Sequence, residues 1–321
     1  MKSPLVNPGK ALICGSMAYD TIMVFEDQFK NHILPDKVHM LNVSFFAPQM
    51  RREFGGCAGN IAFNLRLLGD PGYAVATVGH DFGPYADWMD RHGVPRDFLR
   101  RIDDAHTAQA FITTDLDDNQ ITAFHPGAMM YSHLNDVRRA EGVALGIVAP
   151  DGRDGMMTHA ANFAAAGIPF IFDPGQAMPL FSGEEFRAFI DQATWVTVNE
   201  YEWNLLTQRT GWTAAEIASR VSALIVTHGG EGSVIHAEGR EIRVPAARPR
   251  DIIDPTGCGD AYRAGLIHGL LRGLPWEVTG RIASLMGALK IETRGTQNHR
   301  FTMEEFAARY RDSFGIPLPA Y

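Results

Sequence analysis

The heptapeptide Asp254 to Asp260 reads D-P-T-G-C-G-D and runs straight into the apolar-periodic A-Y-R-A-G-L-I-H-G-L-L. These residue types at this spacing suit the handling of an anion. A Gly-Cys-Gly turn that opens a helix directs main-chain N–H groups and the positive helix end at one point, where a phosphoryl group with developing negative charge is stabilised. Asp260 then stands beside that group as a candidate proton acceptor. The same residues also fit a plainer description, in which Gly257 and Gly259 make a tight strand-to-helix turn and Asp260 caps the helix.

Holding such a turn in place requires a framework of strands and helices. Short apolar runs begin at Ala11 (A-L-I-C-G), Tyr73 (Y-A-V-A-T-V-G), Val143 (V-A-L-G-I-V-A), Ile168 (I-P-F-I-F-D-P), Thr194 (T-W-V-T-V-N) and Ala223 (A-L-I-V-T-H-G). They alternate with helical patterns at 60–68, 84–92, 156–166, 184–192, 200–208 and 214–221, and three more at 260–272, 276–292 and 303–312 close the chain. This alternation predicts an α/β fold with a doubly wound, mostly parallel sheet and helices on both faces, with ligands gathering at the carboxyl ends of the strands. Two stretches break the rhythm, 21–54 and 107–124. In the second, D-L-D-D-N-Q separates F-I-T-T from I-T-A-F, a hairpin signal. Together they predict a small β-sheet lid inserted into one domain spanning 1–321.

Far upstream of Asp254, the chain reads G-G-C-A-G-N-I-A from Gly55 to Ala62. In this order the two segments resemble the paired signatures of the ribokinase/PfkB family of small-molecule kinases, and the resemblance runs over nearly the whole chain. L-N-V-S-F at Leu41 to Phe45, R-R-E-F-G-G at Arg51 to Gly56 and A-L-K-I-E-T-R-G-T-Q-N-H at Ala288 to His299 are similar in more detail to the adenosine kinase and broad-specificity nucleoside kinase branch. The resemblance implies a ribokinase-like fold and ATP-dependent transfer to the 5′-hydroxyl of a ribonucleoside (adenosine, inosine, guanosine or cytidine) with Mg²⁺, in cytoplasmic salvage. It also implies a lid that closes over the acceptor, with lid edges that some relatives pair into a homodimer and others do not.

By the same resemblance Asp260 is the catalytic base, and the N–H groups of Gly257, Cys258 and Gly259 form the anion hole. Asp20, in G-S-M-A-Y-D, accepts two sugar hydroxyls, Gly55 and Gly56 admit the sugar to the backbone, and Asn60 bonds a ring hydroxyl. Singly, Asp20 reads equally as a solvated loop carboxylate and Asn60 as a helix cap. On the donor side, N-E-Y-E places Asn199 at the ATP phosphates and Glu202 at water around Mg²⁺, a metal that favours sparse, water-rich coordination. Thr227, Gly229 and Gly232 of T-H-G-G-E-G and Ser284 are further nucleotide contacts. Asp254, Thr256, Lys290, Thr293, Gly295 and His299 fall where relatives line a monovalent-cation site, with K⁺ as its occupant. His299 departs from the small hydroxyl residue of ribokinases.

The aromatic-rich lid, with Phe25, Phe29, Phe45, Phe46, Phe111 and Phe124, suits the flat face of a nucleobase, although most of these rings are expected to bury the underside of a thin sheet. Asn42 and Gln109 are candidates for reading base edges. Arg51 and Arg52 read as a hinge ion pair or solvated charge. Cys57 stands where related sugar kinases often place lysine, which leans away from a small free sugar. A sugar or sugar-acid kinase and a non-catalytic ligand-binding member remain the alternatives.

At 321 residues the chain is long enough for a substantial core, and its formal charge of −8 argues against broad nucleic-acid binding. The three cysteines, Cys14, Cys57 and Cys258, lack the spacing of a zinc site or disulfide framework. No apolar run approaches the ~18 residues of a membrane span, and the first residues lack a signal-peptide core. The expected partners are therefore small molecules. Neither a G-x-G-x-x-G opening the first strand-helix unit nor a G-x-x-x-x-G-K-[ST] loop is present, which argues against a nicotinamide enzyme and a Walker-type kinase.

Overall fold

The computed structural model describes residues 9–33, 40, 42–117 and 119–320. Residues 34–39 and Leu41 of the expected lid, Asp118 of the hairpin reversal and the opening eight residues lie outside the described residues.

The run K-A-L-I-C forms β1 (Lys10–Cys14), an interior strand of the large sheet. Its side chains alternate, Ala11 and Ile13 entering one hydrophobic cluster and Leu12 and Cys14 another. Burial on both faces is why this strand reads as an unbroken apolar run rather than an alternating one. β1 is flanked in parallel by β4 (Gly72–Gly79) and β8 (Val143–Val148). Beyond β4 lies β5 (Leu99–Ile102). Beyond β8 follow β9 (Phe170–Phe172), β10 (Trp195–Asn199) and β11 (Ala223–Thr227), all parallel. An antiparallel hairpin, β12 (Ser233–Ala237) and β13 (Arg240–Val244), completes the far edge. The six runs expected as core strands form the middle of the sheet. β5 carries no apolar signal because its sequence, L-R-R-I, exposes both arginines at an edge.

All nine expected helices form. α1 (Cys57–Leu67), α2 (Gly83–His92), α7 (Cys258–Leu271) and α8 (Trp276–Ile291) pack on the face that receives Ala11 and Ile13. α3 (Arg153–Ala165), α4 (Gly183–Gln192), α5 (Glu200–Thr210) and α6 (Ala214–Arg220) cover the other. α9 (Met303–Phe314) packs Phe306 and Tyr310 against Ile282, Leu285 and Met286 of α8. Each fully buried Phe or Leu here contributes roughly 2 kcal/mol. Reciprocal caps open α4, α5, α6 and α9, through Ser182–Glu185, Asn199–Glu202, Thr213–Glu216 and Thr302–Glu305. Among the described residues no helix is long and apolar enough to cross a membrane.

The separate small sheet has the order β3 (Gln49–Gly55), β2 (Ala18–Val24), β6 (Ala108–Thr114), β7 (Gln120–His125). It begins at Ala18 rather than Thr21, so Asp20 belongs to a lid strand and not to a loop. Register assigns its faces. Asp20 pairs with Glu53 and Ala110, and Ala110 with Phe124, so these four side chains share one face, joined two residues on by Ile22 and Ile112. Tyr19 and Gln109 are paired on the opposite face. Phe25, Phe29 and Phe45 stack on one another with ring centroids 4.9–5.9 Å apart, the structural role expected of most lid aromatics.

Candidate active site

Strand order reverses about β1, whose neighbours β4 and β8 lead the chain to opposite sides, and that reversal opens a crevice at their carboxyl ends. Ser16 N–H donates to the Pro150 carbonyl at 3.0 Å and ties two of those ends together. α1 starts beside them after Gly56, whose φ is 84°. A Cβ there would lie 2.6 Å from Ala18 N, so only glycine lets the chain pass. At Gly55 a Cβ would collide with the Asp20 carboxylate. The missing Cβ at Gly55 leaves room for the Asp20 carboxylate.

Asp260 sits in the first turn of α7, following Gly257 at φ 80°. Its Oδ2 accepts from the Asn60 amide at 2.8 Å. Asn60 Oδ1 accepts in turn from Gln297 Nε2 at 3.0 Å, and the same nitrogen donates to the Tyr85 hydroxyl at 2.6 Å. Tyr85 donates to the Gly55 carbonyl at 2.8 Å, while Trp88 Nε1 donates to Gln297 Oε1 at 3.0 Å. Asn60 is therefore neither a helix cap nor free on all sides for a sugar. It orients Asp260, and Gln297, Tyr85 and Trp88 orient it.

Burial, opposed by the Asn60 hydrogen bond and the Arg263 charge, lifts the Asp260 carboxyl to about 6. Burial also lifts Asp20 to about 6, helped by the negative charges of Asp260, Glu53 and Asp254. Two half-buried carboxylates thus face one crevice closely enough to repel. The anion-hole expectation needs one correction. Cys258 N–H already donates to the Pro255 carbonyl at 3.2 Å, whereas the N–H groups of Gly257, Gly259 and Asp260 have no protein acceptor among the described residues. Burial pushes the Cys57 thiol well up and Cys258 to about 11, so neither cysteine is an activated nucleophile.

One turn beyond Asp260, the buried Arg263 forms a two-point ion pair with Asp173 at 2.7 and 2.8 Å and lies 3.9 Å from Glu202. Burial and the Asp173 charge raise Glu202, against the pull of Arg263. Asn199 and Glu202 do form a reciprocal helix cap, each side chain accepting the other's main-chain N–H at 2.8 Å. Only Oε2 of Glu202 is used in that cap. A magnesium ion carried on phosphates takes one or two carboxylates and several waters; both Asp173 oxygens are engaged by Arg263, which leaves Glu202, whose Oε1 stays outside the cap, as the carboxylate that could hold such water.

The proposed monovalent-cation residues do not fit an ion. Lys290 Nζ donates to the Asp254 carbonyl at 2.8 Å and the Thr293 carbonyl at 3.1 Å. The Asp254 carboxylate accepts from Thr256 N–H at 2.9 Å and Gly295 N–H at 2.8 Å. Burial lowers Lys290, against the opposing pull of Asp254. His299 donates through Nε2 to Asn64 Oδ1 at 2.7 Å, and burial depresses it to about 3, leaving a neutral ring in the core.

The remaining candidates divide. Thr227 ends β11, and His228 N–H donates to the Gly232 carbonyl at 2.8 Å, closing the glycine loop that contains Gly229 and Gly232. The Ser284 hydroxyl accepts from Ala247 N–H at 2.8 Å and donates to the Pro245 carbonyl at 3.2 Å, so it fixes that segment rather than offering itself to a nucleotide. Gln109 is corrected by register: it faces away from Asp20 and bonds Arg52 and Asp81 at 3.1 Å each. Asn42 is exposed before β3. Arg51 lies 3.5 Å from Glu53, and Arg52 covers the Tyr19 ring at 4.2 Å. Sequence reasoning missed Asp173, Tyr85 and Arg263. The only available signal was the one-turn spacing from Asp260 to Arg263.

A family model described as pfkB family carbohydrate kinase matches residues 22–302. The solved structure of Burkholderia thailandensis nucleoside kinase in complex with inosine is similar at 52% identity, covering 96% of this chain and 99% of that one, with a TM-score of 0.88. The nucleoside kinase of Methanocaldococcus jannaschii is 30% identical over 272 residues, 84% of this chain and 89% of its own length. The ribokinase of Bacillus subtilis is 26% identical, over 78% of this chain and 85% of its own length.

Proposed function

Because the chain belongs to the pfkB family of carbohydrate kinases, we propose that it is an ATP-dependent nucleoside kinase that phosphorylates the 5′-hydroxyl of a ribonucleoside. The observation that carries this reading is Asp260, held by Asn60 beside unengaged N–H groups at the start of α7, with its carboxyl lifted to about 6. A base poised near working pH is mostly ionised and still accepts a proton readily.

In the proposed step the 5′-oxygen forms its bond to the γ-phosphorus as the bond from that phosphorus to the β,γ-bridging oxygen breaks. ADP leaves and the hydroxyl proton passes to Asp260. The N–H groups of Gly257, Gly259 and Asp260 stabilise the charge on the moving phosphoryl group, as the helix end favours. Asp20 accepts hydrogen bonds from two ribose hydroxyls. Register places Ile22, Ile112 and Phe124 on the same lid face as Asp20, where an apolar wall suits a nucleobase. Asn199, Thr227, Gly229 and Gly232 line the donor side, and Glu202 would hold water around Mg²⁺, which neutralises charge on the phosphates when bound.

The test is ATP consumption with Mg²⁺ against adenosine, inosine, guanosine, cytidine, ribose, fructose and 2-keto-3-deoxygluconate. Turnover confined to nucleosides supports the reading. Turnover on free sugars alone replaces it with a sugar kinase, and absence of turnover on every compound with an acceptor hydroxyl points to a binding protein.

A further inference from the structure

Lys290 is fully buried, at 0% exposure, in the last turn of α8. A buried lysine is rare unless its charge has partners. Here the ammonium donates to two main-chain carbonyls from different segments, Asp254 at 2.8 Å and Thr293 at 3.1 Å, and stands 4.0 Å from Asp254 Oδ2. Asp254 opens the turn that ends at Asp260. Thr293 opens the loop whose Gly295 N–H returns to the Asp254 carboxylate, whose Thr296 hydroxyl donates to the Phe54 carbonyl at 2.6 Å, and whose Gln297 holds Asn60. One charge therefore pins both segments that position Asp260, one by main chain and one by the Gln297–Asn60 relay.

Convergent carbonyl oxygens below a carboxylate, at the negative end of a helix, are the surroundings a bound alkali cation takes. In this chain the ammonium already fills that role, and a second cation at the same point would meet like charge at close range. We propose that Lys290 is a built-in replacement for a monovalent cation, a positioning residue that holds the 254–260 turn and makes the enzyme indifferent to potassium.

The experiment compares the wild-type protein and Lys290→Ala in 100 mM choline, potassium or methylammonium chloride, reading melting temperature and, with inosine and ATP, kcat and both KM values. The turnover arm rests on the nucleoside-kinase reading, whereas the melting arm does not, so a failure of that reading leaves the melting result to decide. The wild-type protein is expected to show the same melting temperature and kcat in all three salts. Lys290→Ala is expected to lose at least tenfold in kcat in choline, with both KM values within threefold, and to recover kcat and melting temperature in potassium or methylammonium. A wild-type melting temperature or kcat that rises specifically in potassium overturns the proposal, and this holds even if the variant fails to fold. A folded variant with wild-type kcat in choline, or one that neither cation restores, overturns it as well.

Discussion

The Asn60 amide donates to Asp260 Oδ2 at 2.8 Å, joining the first helix after the lid to the first turn of α7. The bond holds the carboxylate in one orientation and favours its ionised form, opposing the upward push of burial. Asn60→Ala should therefore raise the carboxyl above about 6 and shift the acid limb of the kcat/KM profile to higher pH by up to about one unit. Turnover near neutrality should fall, with partial recovery at alkaline pH. A limb that stays in place would mean that Asn60 acts only on the substrate.

Asp260→Asn removes the proposed proton acceptor while keeping its size. We expect kcat to drop by about 10³-fold, with the affinity for ADP, measured by calorimetry, unchanged within threefold. Near-normal turnover would take the base role away from Asp260.

Acid-limb behaviour and stability should run in opposite directions. The proposed mechanism needs Asp260 and Asp20 ionised, so kcat/KM should rise through about pH 6, as a property of the pair rather than of either group. Both folded-state values lie above the ordinary 3.8, so the fold favours the protonated forms. The stability they contribute is present at low pH and is lost as pH rises from about 4 through about 6. Solvent reduces the loss to about 1–2 kcal/mol for the pair. Against this background Asp260→Asn should melt higher than wild type at pH 7 and not at pH 4, as differential scanning calorimetry can read.

Asp20→Ala should raise the nucleoside KM by tenfold to a hundredfold and leave the ATP KM nearly unchanged. A 2′-deoxynucleoside should show the same deficit with the wild-type enzyme and little further loss with the variant. Gly55→Ala, whose Cβ meets the Asp20 carboxylate, should displace that carboxylate and raise the nucleoside KM as well. Equal KM values for ribo- and deoxyribonucleosides would remove Asp20 from the sugar.

Arg263→Met leaves Asp173 and Glu202 buried together without their counter-charge. Loss of one partner of such a group costs about 3–5 kcal/mol, to be read as a lower urea midpoint with an unchanged slope. Acidification should restore part of this stability, since protonating either carboxyl removes the repulsion. A variant as stable as wild type would show that water reaches the pair.

The central strands, the nine helices, the hairpin of the lid and the Gly-Cys-Gly turn that opens α7 were all legible in the chain because each rests on local rules. Continuous apolar runs mark strands buried on both faces, as in K-A-L-I-C. Spacing of three to four residues marks helix faces, and S/T/N-x-x-E marks helix starts such as Asn199–Glu202. Resemblance added the roles proposed for Asp20 and Asp260.

What tertiary structure alone decided depends on groups distant in sequence meeting in space. Asp173 lies 90 positions from Arg263, and Gln297 lies 237 from Asn60. Neither partner carries a local signal, since a buried carboxylate and an exposed one look alike in sequence. Register turned Gln109 away from the site and Phe124 toward it, because a strand's alternation sets two faces but only pairing says which one meets the crevice. Lys290 is the sharpest case. In A-L-K-I-E-T-R-G the resemblance makes it part of a cation site, and only the tertiary structure brings the Asp254 and Thr293 carbonyls together on its ammonium.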